Sequence, residues 1–130
     1  MKNYYKFFKK NPFNYIPLTF HISKGFDDPE FEKFMIIYDK LEEEKANSDF
    51  KNIWILKPGE FTNRGKGIAV CSSVEEIKNK FKGKDYGKNR TFIVQKYIEK
   101  PFLYNKRKFD IRHFMLITCV NGKFKGYEYS

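Results

Sequence analysis

The sequence predicts an α/β (α+β) fold, in which a mixed or antiparallel sheet carries flanking helices. Two short apolar runs, 53–56 and 68–71, lie on either side of a glycine-containing stretch, which is the pattern of strand, loop and strand. Apolar residues between 31 and 41 recur at helical spacing, and Asn121-Gly122 is typical of a hairpin turn. Strands and helices are therefore expected in the same chain.

The composition limits the chain to one domain at most, or a piece of one, because it has 130 residues. A hydrophobic content of 41% and an aromatic content of 19% are enough for a core and exclude a disordered chain. The net charge of +10 predicts an anionic partner: a nucleotide, nucleic acid, a membrane surface or an acidic protein. A lysine-rich compositional bias explains the charge equally well.

Cysteine usage and the absence of targeting signals point to a cytosolic setting. Cys71 and Cys119 each lie in an apolar, strand-like run without a second cysteine at metal-ligand spacing, so both are expected to be buried, reduced thiols. The first ten residues contain no uninterrupted apolar stretch, and no run of 18 apolar residues occurs anywhere. Neither secretion nor a membrane span is expected.

The first third of the chain predicts an irregular segment, a strand and a helix. Residues 1–17 mix aromatics with lysines, a pattern of a segment laid across a core or, alternatively, of stacking on nucleobases. Residues 18–22 predict a short strand, and Asp28-Pro29 predicts a capped helix start. The helix is expected to end in the acidic run 42–44. Its core-facing stripe is Phe31, Phe34, Met35, Tyr38 and Leu41.

The loop between the two apolar runs has the composition that a backbone needs to approach phosphate closely. It contains Gly59, Gly65 and Gly67 together with the cations Arg64 and Lys66. A P-loop is not expected, because five residues rather than four separate the first glycine from Gly-Lys, and a strand follows instead of a helix. A mobile hairpin that closes over phosphates fits better.

A second short helix and a further strand are predicted after this hairpin. Ser73 and Glu76 have the spacing of a capping box, and the helix is expected to reach about Phe81. Residues 91–98 then predict a buried strand whose polar pair, Gln95-Lys96, needs partners. A bound ligand is one candidate partner.

Residues 108–120 alternate in a way that predicts a long strand. Lys108, Asp110 and Arg112 are expected on one face, and apolar side chains on the other. Three charges of mixed sign on one face suggest the mouth of a cleft, while a surface salt-bridge ladder is the alternative interpretation.

Four short motifs in a fixed order allow a comparison with a known family. They are W-I-L-K-P at 54–58, R-G-K-G-I at 64–68, V-Q-K-Y-I-E-K-P at 94–101 and R-K-F-D-I-R at 107–112. Together they closely resemble the tubulin-tyrosine-ligase-like family of ATP-grasp amino-acid ligases, over roughly residues 17–129. The loop 57–65 is longer than the family pattern by about one residue.

The resemblance implies an incomplete ATP-grasp-like fold and an enzyme activity. Residues 1–51 are then expected to be an N-terminal or central-subdomain segment, and 52–130 the N-terminal part of the catalytic domain. The implied activity is the ATP-dependent ligation of an amino acid to a protein through an acyl-phosphate. The product would be tyrosinated, glutamylated or glycylated tubulin.

The resemblance also assigns site residues, with Arg112 as the catalytic residue near the reacting centre. The residues that it assigns to the nucleotide are Lys57, Arg64, Gly65, Gly67, Ile68, Gln95, Lys96, Tyr97, Ile98, Lys108 and Asp110. In this assignment Lys57 and the loop 64–68 meet the phosphates. Residues 95–98 border the adenine, while Lys108 and Asp110 reach the phosphate and ribose region.

The implied cofactors are ATP and Mg²⁺, and the implied partners are tubulin or microtubules and an amino acid. The magnesium ligands are expected beyond Ser130, so no metal ligand is assigned, and the chain is expected to be a fragment that is inactive alone. The implied location is the cytoplasmic microtubule cytoskeleton, including the cilium, axoneme and basal body. A membrane is not an expected partner.

Two other functions compete with the ligase. One is a non-catalytic microtubule- or anion-binding module that keeps the nucleotide-site residues without turnover. The other is a general nucleic-acid binder, which is disfavoured because only charge and aromatic content speak for it.

Overall fold

The computed structural model describes residue 5 and the ranges 7–59, 65–82 and 91–128. The chain forms two compact units, Met1–Glu99 and Lys100–Ser130. Strands from both sides of residue 52 belong to the sheet of the first unit. The division expected at residue 52 on the basis of the family resemblance stays a prediction.

The first unit is built on a four-stranded antiparallel sheet with the strand order β1-β4-β2-β3. Its strands are β1 (Thr19–Ile22), β2 (Trp54–Pro58), β3 (Ala69–Cys71) and β4 (Phe92–Lys96). Branched and aromatic residues fill these strands, as the sequence predicted, and the β2–β3 hairpin is confirmed. The predicted fold class, a sheet with flanking helices, is confirmed.

The long helix α1 (Pro29–Lys45) begins at the predicted cap. Asp28 Oδ1 accepts the Glu30 N–H at 2.9 Å, and Oδ2 accepts the Ser23 N–H at 2.7 Å and the Lys24 N–H at 2.9 Å. Burial raises the pKa of the Asp28 carboxyl, but these donors and the Ser23 hydroxyl outweigh it and lower the pKa to about 2. The carboxylate therefore fixes both the helix start and the turn before it.

The second helix, α2 (Val74–Phe81), starts at a variant of the predicted capping box. Ser73 Oγ accepts the Glu76 N–H at 3.2 Å, as expected. The Glu76 carboxylate returns to the N–H of Ser72 at 2.8 Å, one residue before the cap. Two N–H groups at the start of the helix are therefore satisfied by two neighbouring side chains.

The core lies between one face of the sheet and the two helices. Its buried side chains are Phe20, Ile22, Phe31, Phe34, Tyr38, Trp54, Leu56, Cys71, Ile77, Phe81, Phe92 and Val94. The Phe34 and Trp54 rings meet edge to face at 4.9 Å, and the Phe81 and Phe92 rings stack at 4.0 Å. The predicted helix stripe is confirmed, because Met35 and Leu41 also pack against this cluster.

The second unit contains a hairpin of two strands, β5 (Met115–Val120) and β6 (Lys123–Glu128). Asn121 and Gly122, with φ of 50° and 74°, form the predicted turn, since a tight turn with both central residues in the left-handed region matches the twist of the strands. Cys119 is exposed. The prediction that it is buried is wrong, because no layer of described residues in this unit covers the hairpin.

The strand predicted from residue 108 begins only at Met115. Met115 pairs with Glu128, the last residue of β6, so residues 108–114 have no partner strand among the residues described. Alternation alone cannot form a strand without a neighbour to take its backbone hydrogen bonds. The prediction of a regular strand carrying Lys108, Asp110 and Arg112 on one face is therefore wrong.

No helix among the described residues is long and apolar enough to cross a membrane.

Candidate functional site

The face of the first sheet that the helices leave uncovered carries the candidate site, and we call it the open face. Because side chains alternate along a strand, burial of Trp54 and Leu56 on the helix side puts Ile55 and Lys57 on the other side. By the same alternation, Gln95 lies on the open face and Thr19 opposite it on the neighbouring strand. These side chains are half-buried.

Three side chains on the open face form one hydrogen-bonded row, which we call the amide relay. Lys57 Nζ donates to Gln95 Oε1 at 2.8 Å, and Gln95 Nε2 donates to Thr19 Oγ1 at 2.8 Å. The Thr19 hydroxyl in turn donates to the Pro17 carbonyl at 2.7 Å. The structure thus brings together two of the predicted site residues, Lys57 and Gln95, and satisfies the Gln95 amide within the protein.

Lys96, the neighbour of Gln95, lies on the opposite face of the sheet. Its ammonium donates to the Ile53 carbonyl at 3.2 Å and to Glu99 Oε1 at 2.5 Å, and it lies over the Trp54 ring at 5.7 Å. The predicted polar pair is therefore split between the two faces. Its members find partners inside the protein, so a ligand is not needed to explain them.

Glu99 connects the end of β4 to the start of β2, a role that was not predicted from the sequence. Its carboxylate accepts the Lys51 N–H at 2.6 Å, the Ile53 N–H at 2.8 Å and the Lys96 ammonium. Burial raises the pKa of the Glu99 carboxyl, but these donors lower it to about 2. The signal in the sequence was an acid three residues after a strand-end lysine, before a proline.

The segment 95–98 is further held by backbone contacts. The Tyr97 N–H donates to the Ile53 carbonyl at 3.0 Å, so Ile53 is fixed through both its N–H and its carbonyl. Ile98, the last residue of the segment, is exposed. The residues expected to border adenine are thus anchored at Lys96 and Tyr97 and open at Ile98.

Asn52 is a second residue whose role was not predicted from the sequence. It is fully buried with a φ of 52°, and its Nδ2 donates to Glu42 Oε2 at 2.7 Å while its Oδ1 accepts the Trp54 Nε1–H at 2.9 Å. Hydrogen bonds from Lys45 and Asn52 lower the pKa of the Glu42 carboxyl, so this acid near the end of α1 has partners within the protein. The residue type is the signal in the sequence that could have indicated this role, because asparagine tolerates a positive φ better than most residues.

The base of the β2–β3 loop is a close backbone contact. The Gly59 N–H donates to the Thr91 carbonyl at 2.7 Å, and a Cβ on Gly59 would lie 2.1 Å from Thr91 Oγ1. At the other end of the loop Gly67 has a φ of 77°, and a Cβ there would lie 2.8 Å from Pro58 Cγ. Both positions require glycine. Two other predicted site residues belong to the same loop: Gly65, which has a φ of 74°, and Ile68, which is exposed. Arg64 lies outside the described residues.

The remaining predicted site residues lie in the second unit. Lys108, Asp110 and Arg112 are exposed on the irregular segment 108–114. Their expected convergence with Lys57 on one nucleotide stays a prediction. Among the described residues, no group of three or more histidine, cysteine, aspartate or glutamate side chains is placed to hold a metal ion.

Comparisons with known proteins agree with the motif resemblance. Residues 13–130 match the family described as "Tubulin-tyrosine ligase family". Tubulin glycylase 3B of Drosophila melanogaster is 43% identical over 79 residues, which cover 61% of this chain and 10% of that protein. Tubulin glycylase 3B of Tetrahymena thermophila is 44% identical over 70 residues, 52% of this chain and 5% of that protein.

A human relative gives the same result. Tubulin monoglycylase TTLL3 of Homo sapiens is 42% identical over 72 residues, which cover 55% of this chain and 9% of that protein. The matched part of this chain thus spans a tenth or less of the length of these three relatives.

Proposed function

The chain belongs to the tubulin-tyrosine ligase family, and from this premise we propose that it carries part of the nucleotide site of an ATP-dependent ligase that joins an amino acid to tubulin. The relatives are named as glycylases, which favours glycine over glutamate and tyrosine as that amino acid. The same names support tubulin and microtubules as partners, and the microtubule cytoskeleton as the location.

One observation carries the proposal: the Lys57 ammonium bonds a neutral amide. Other lysines of the first unit form ion pairs, such as Lys96 with Glu99 and Lys45 with Glu42. Lys57 instead donates to Gln95 Oε1, so this bond leaves its positive charge uncompensated. Exchanging the neutral acceptor for a phosphate oxygen keeps a hydrogen bond with a charged donor and adds the attraction between opposite charges.

The loop beyond β2 suits the same ligand. Glycines at 59, 65 and 67 let the backbone come close to its neighbours, as the Gly59–Thr91 contact already does within the protein. Backbone N–H groups in such a loop can point at phosphate oxygens. Lys57 lies on the strand that leads into this loop, which fits a triphosphate bound between the loop and the open face.

The chemistry explains why a ligase needs such cations. ATP supplies a phosphoryl group to a carboxylate, which is otherwise a poor electrophile, and the attacking amine then releases phosphate as the amide bond forms. Negative charge grows on the transferred group and on the tetrahedral centre, so fixed cations stabilise both steps. Within the first unit, Lys57 would supply such a cation to the phosphates.

Magnesium is part of the proposal only as an expected companion of ATP. The described residues provide no acidic cluster for it, so we assign it no ligands in this chain.

Nucleotide binding by the purified protein tests the proposal. Lys57→Ala should weaken ATP binding at least about tenfold, because it removes a charge-assisted bond to phosphate. Lys125→Ala is a matched control, since Lys125 is an exposed lysine on β6. Isothermal titration with ATP measures both variants.

The result also separates the second candidate, a non-catalytic anion-binding module, which the net charge of +10 favours. In such a module both lysine variants would lose similar affinity, and binding would fall steeply with salt. Equal losses in the two variants would contradict the nucleotide site. Incubation with microtubules, ATP and labelled glycine, glutamate or tyrosine then tests which amino acid is joined.

A further inference from the structure

The hydrogen bonds of the amide relay permit only one orientation of the Gln95 side chain. A lysine ammonium can only donate, so the Gln95 atom that faces Lys57 must be the oxygen. The Pro17 carbonyl can only accept, so the Thr19 hydroxyl gives its proton to Pro17 and offers a lone pair to Gln95 Nε2. A rotated amide would place its NH₂ group against the Lys57 ammonium and its oxygen against the Thr19 oxygen, whose hydrogen is directed to Pro17.

Strand register holds the members of the relay in place. Thr19 is the direct cross-strand partner of Gln95 in the β1–β4 pair, and Ile55 is its partner in the β4–β2 pair. Lys57 is two residues beyond Ile55, so it reaches Gln95 along the diagonal of the same face. The three side chains come from three adjacent strands, and a shift of register would break the row.

We propose that Thr19 is a positioning residue that fixes the Gln95 amide with its oxygen towards the ligand side, and that this orientation makes the site select a nucleobase carrying an amino group over one carrying a carbonyl. The inference rests on the proposed nucleotide site. It assigns to Thr19 a part in choosing the nucleotide, although Thr19 lies on the edge strand and outside the segment 95–98 expected to border the base.

The chemical basis is the difference between an acceptor and a donor at one position. An amide oxygen has two lone pairs, and the hydrogen bond from Lys57 uses one of them, so the other can accept a second hydrogen bond. The 6-amino group of adenine donates to such an oxygen, whereas the 6-carbonyl of guanine would meet it oxygen to oxygen. When the Lys57 ammonium turns to phosphate, both lone pairs of Gln95 Oε1 become available to a donor on the base.

Removing the Thr19 hydroxyl should remove the preference without removing the site. In Thr19→Val the shape of the residue is kept, but Gln95 Nε2 loses its acceptor. Once the Lys57 ammonium has turned to phosphate, the amide can then rotate to offer NH₂ to a carbonyl. We expect the ratio of ATP affinity to GTP affinity to fall about five- to tenfold. Thr19→Ser keeps the hydroxyl and should restore the ratio, and Thr118→Val on β5 is the matched control for the substitution.

The experiment measures ATP and GTP binding to the full chain for the wild type and these three variants. A nuclear magnetic resonance readout accompanies it. The Gln95 side-chain NH₂ protons should exchange slowly with solvent in the wild type and in Thr19→Ser, and should exchange faster in Thr19→Val. A Thr19 that only stabilised the fold would weaken both nucleotides equally and leave the ratio unchanged.

The outcomes separate the two proposals. An unchanged ratio in Thr19→Val, or equal ATP and GTP affinity in the wild type, overturns the role of Thr19. If Lys57→Ala still weakens ATP binding, the proposed nucleotide site survives that result. A wild-type chain that binds neither nucleotide overturns the proposed site, and the role of Thr19 falls with it.

Discussion

The two units of the chain, residues 1–99 and 100–130, both contain antiparallel strands. They differ in how far the apolar side chains of those strands are exposed to solvent. In the first unit the strand residues Ile22, Leu56 and Val94 are at most 1% exposed. In the second unit the strand residues Met115, Ile117 and Phe124 are 59% to 76% exposed.

The difference comes from the layer behind each sheet. Helices α1 and α2 cover one face of the four-stranded sheet, whereas β5 and β6 form a two-stranded hairpin of which every described residue but one is exposed. Two strands without a covering layer are marginally stable in water. Strand pairing and core formation are therefore separate requirements. The first unit has paired strands and a buried core, whereas the described hairpin of the second unit has paired strands without a core.

The largest expected effect comes from emptying the core of the first unit. Phe34→Ala removes a fully buried ring that packs on Trp54 and should lower the free energy of unfolding by about 3–5 kcal/mol. Urea unfolding followed by the fluorescence of Trp54, the only tryptophan, measures it. Phe124→Ala, at a ring that is 76% exposed, is the matched change and should cost less than about 0.5 kcal/mol. Similar losses would show that the two units do not differ in this way.

Acid should weaken the first unit through two carboxyls. The pKa values of Asp28 and Glu99 are about 2 in the folded chain, against ordinary values of 3.8 and 4.5. Since the unfolded chain binds protons first, their stabilisation is complete above about pH 5 and is lost as the pH falls towards 2. The loss should be about 2–3 kcal/mol for each group.

Unfolding by urea at pH 6 and at pH 2.5 checks this expectation. Glu99→Gln should lower stability at pH 6 and flatten the pH dependence, because the amide does not titrate. Glu32→Gln, at an exposed position of α1, should leave the pH dependence as it is in the wild type. An unchanged slope in Glu99→Gln would speak against the Glu99 contacts.

Replacing a glycine by alanine should lower the stability at one position in the first unit, and should leave it unchanged or raise it at a position in the second unit. Gly59→Ala puts a methyl group 2.1 Å from Thr91 Oγ1 and 2.9 Å from its carbonyl oxygen, so the ends of β2 and β4 must separate. We expect a loss of about 1–3 kcal/mol. Gly126→Ala meets nothing within 4 Å on β6 and should be neutral or stabilising by about 0.5–1 kcal/mol. Thermal unfolding followed by circular dichroism compares them, and a stable Gly59→Ala protein would refute the close contact.

Chemical labelling of the two thiols compares the units without altering the stability of the native protein. Cys119 is exposed, whereas Cys71 is 1% exposed and burial raises the pKa of its thiol. A disulfide reagent should therefore modify Cys119 at least about a hundredfold faster in the native protein. Cys119→Ser should abolish the fast phase, and its persistence in that variant would contradict the burial of Cys71.

The parts of this structure that the sequence predicted are those with local signals. The start of α1 at Asp28, the capping by Ser73 and the turn at Asn121-Gly122 each depend on residues within a few positions. The strands β1 to β4 were predicted because their apolar runs are short and bounded by turn residues. Gln95 was singled out as half of a polar pair in a buried strand and Lys57 through the family resemblance, but their contact with each other was not predicted.

What the sequence did not predict depends on distant partners. Glu99 reaches Ile53 across 46 positions, and no local pattern indicates that contact. The start of β5 is decided by where its partner strand ends. The exposure of Cys119 follows because no described residue of its own unit forms a layer over the hairpin. Sequence periodicity describes one strand at a time, whereas these outcomes belong to pairs of elements.

Gln95 and Lys96 point to opposite faces of the sheet, and this limits where codons can be inserted into or deleted from the gene. A codon gained or lost within β4 would exchange the two side chains between the faces of the sheet, sending the ammonium away from Glu99 and the amide into the aromatic core. A codon gained between β2 and β3 alters neither face. Insertions and deletions among relatives should therefore gather in that loop and spare β4.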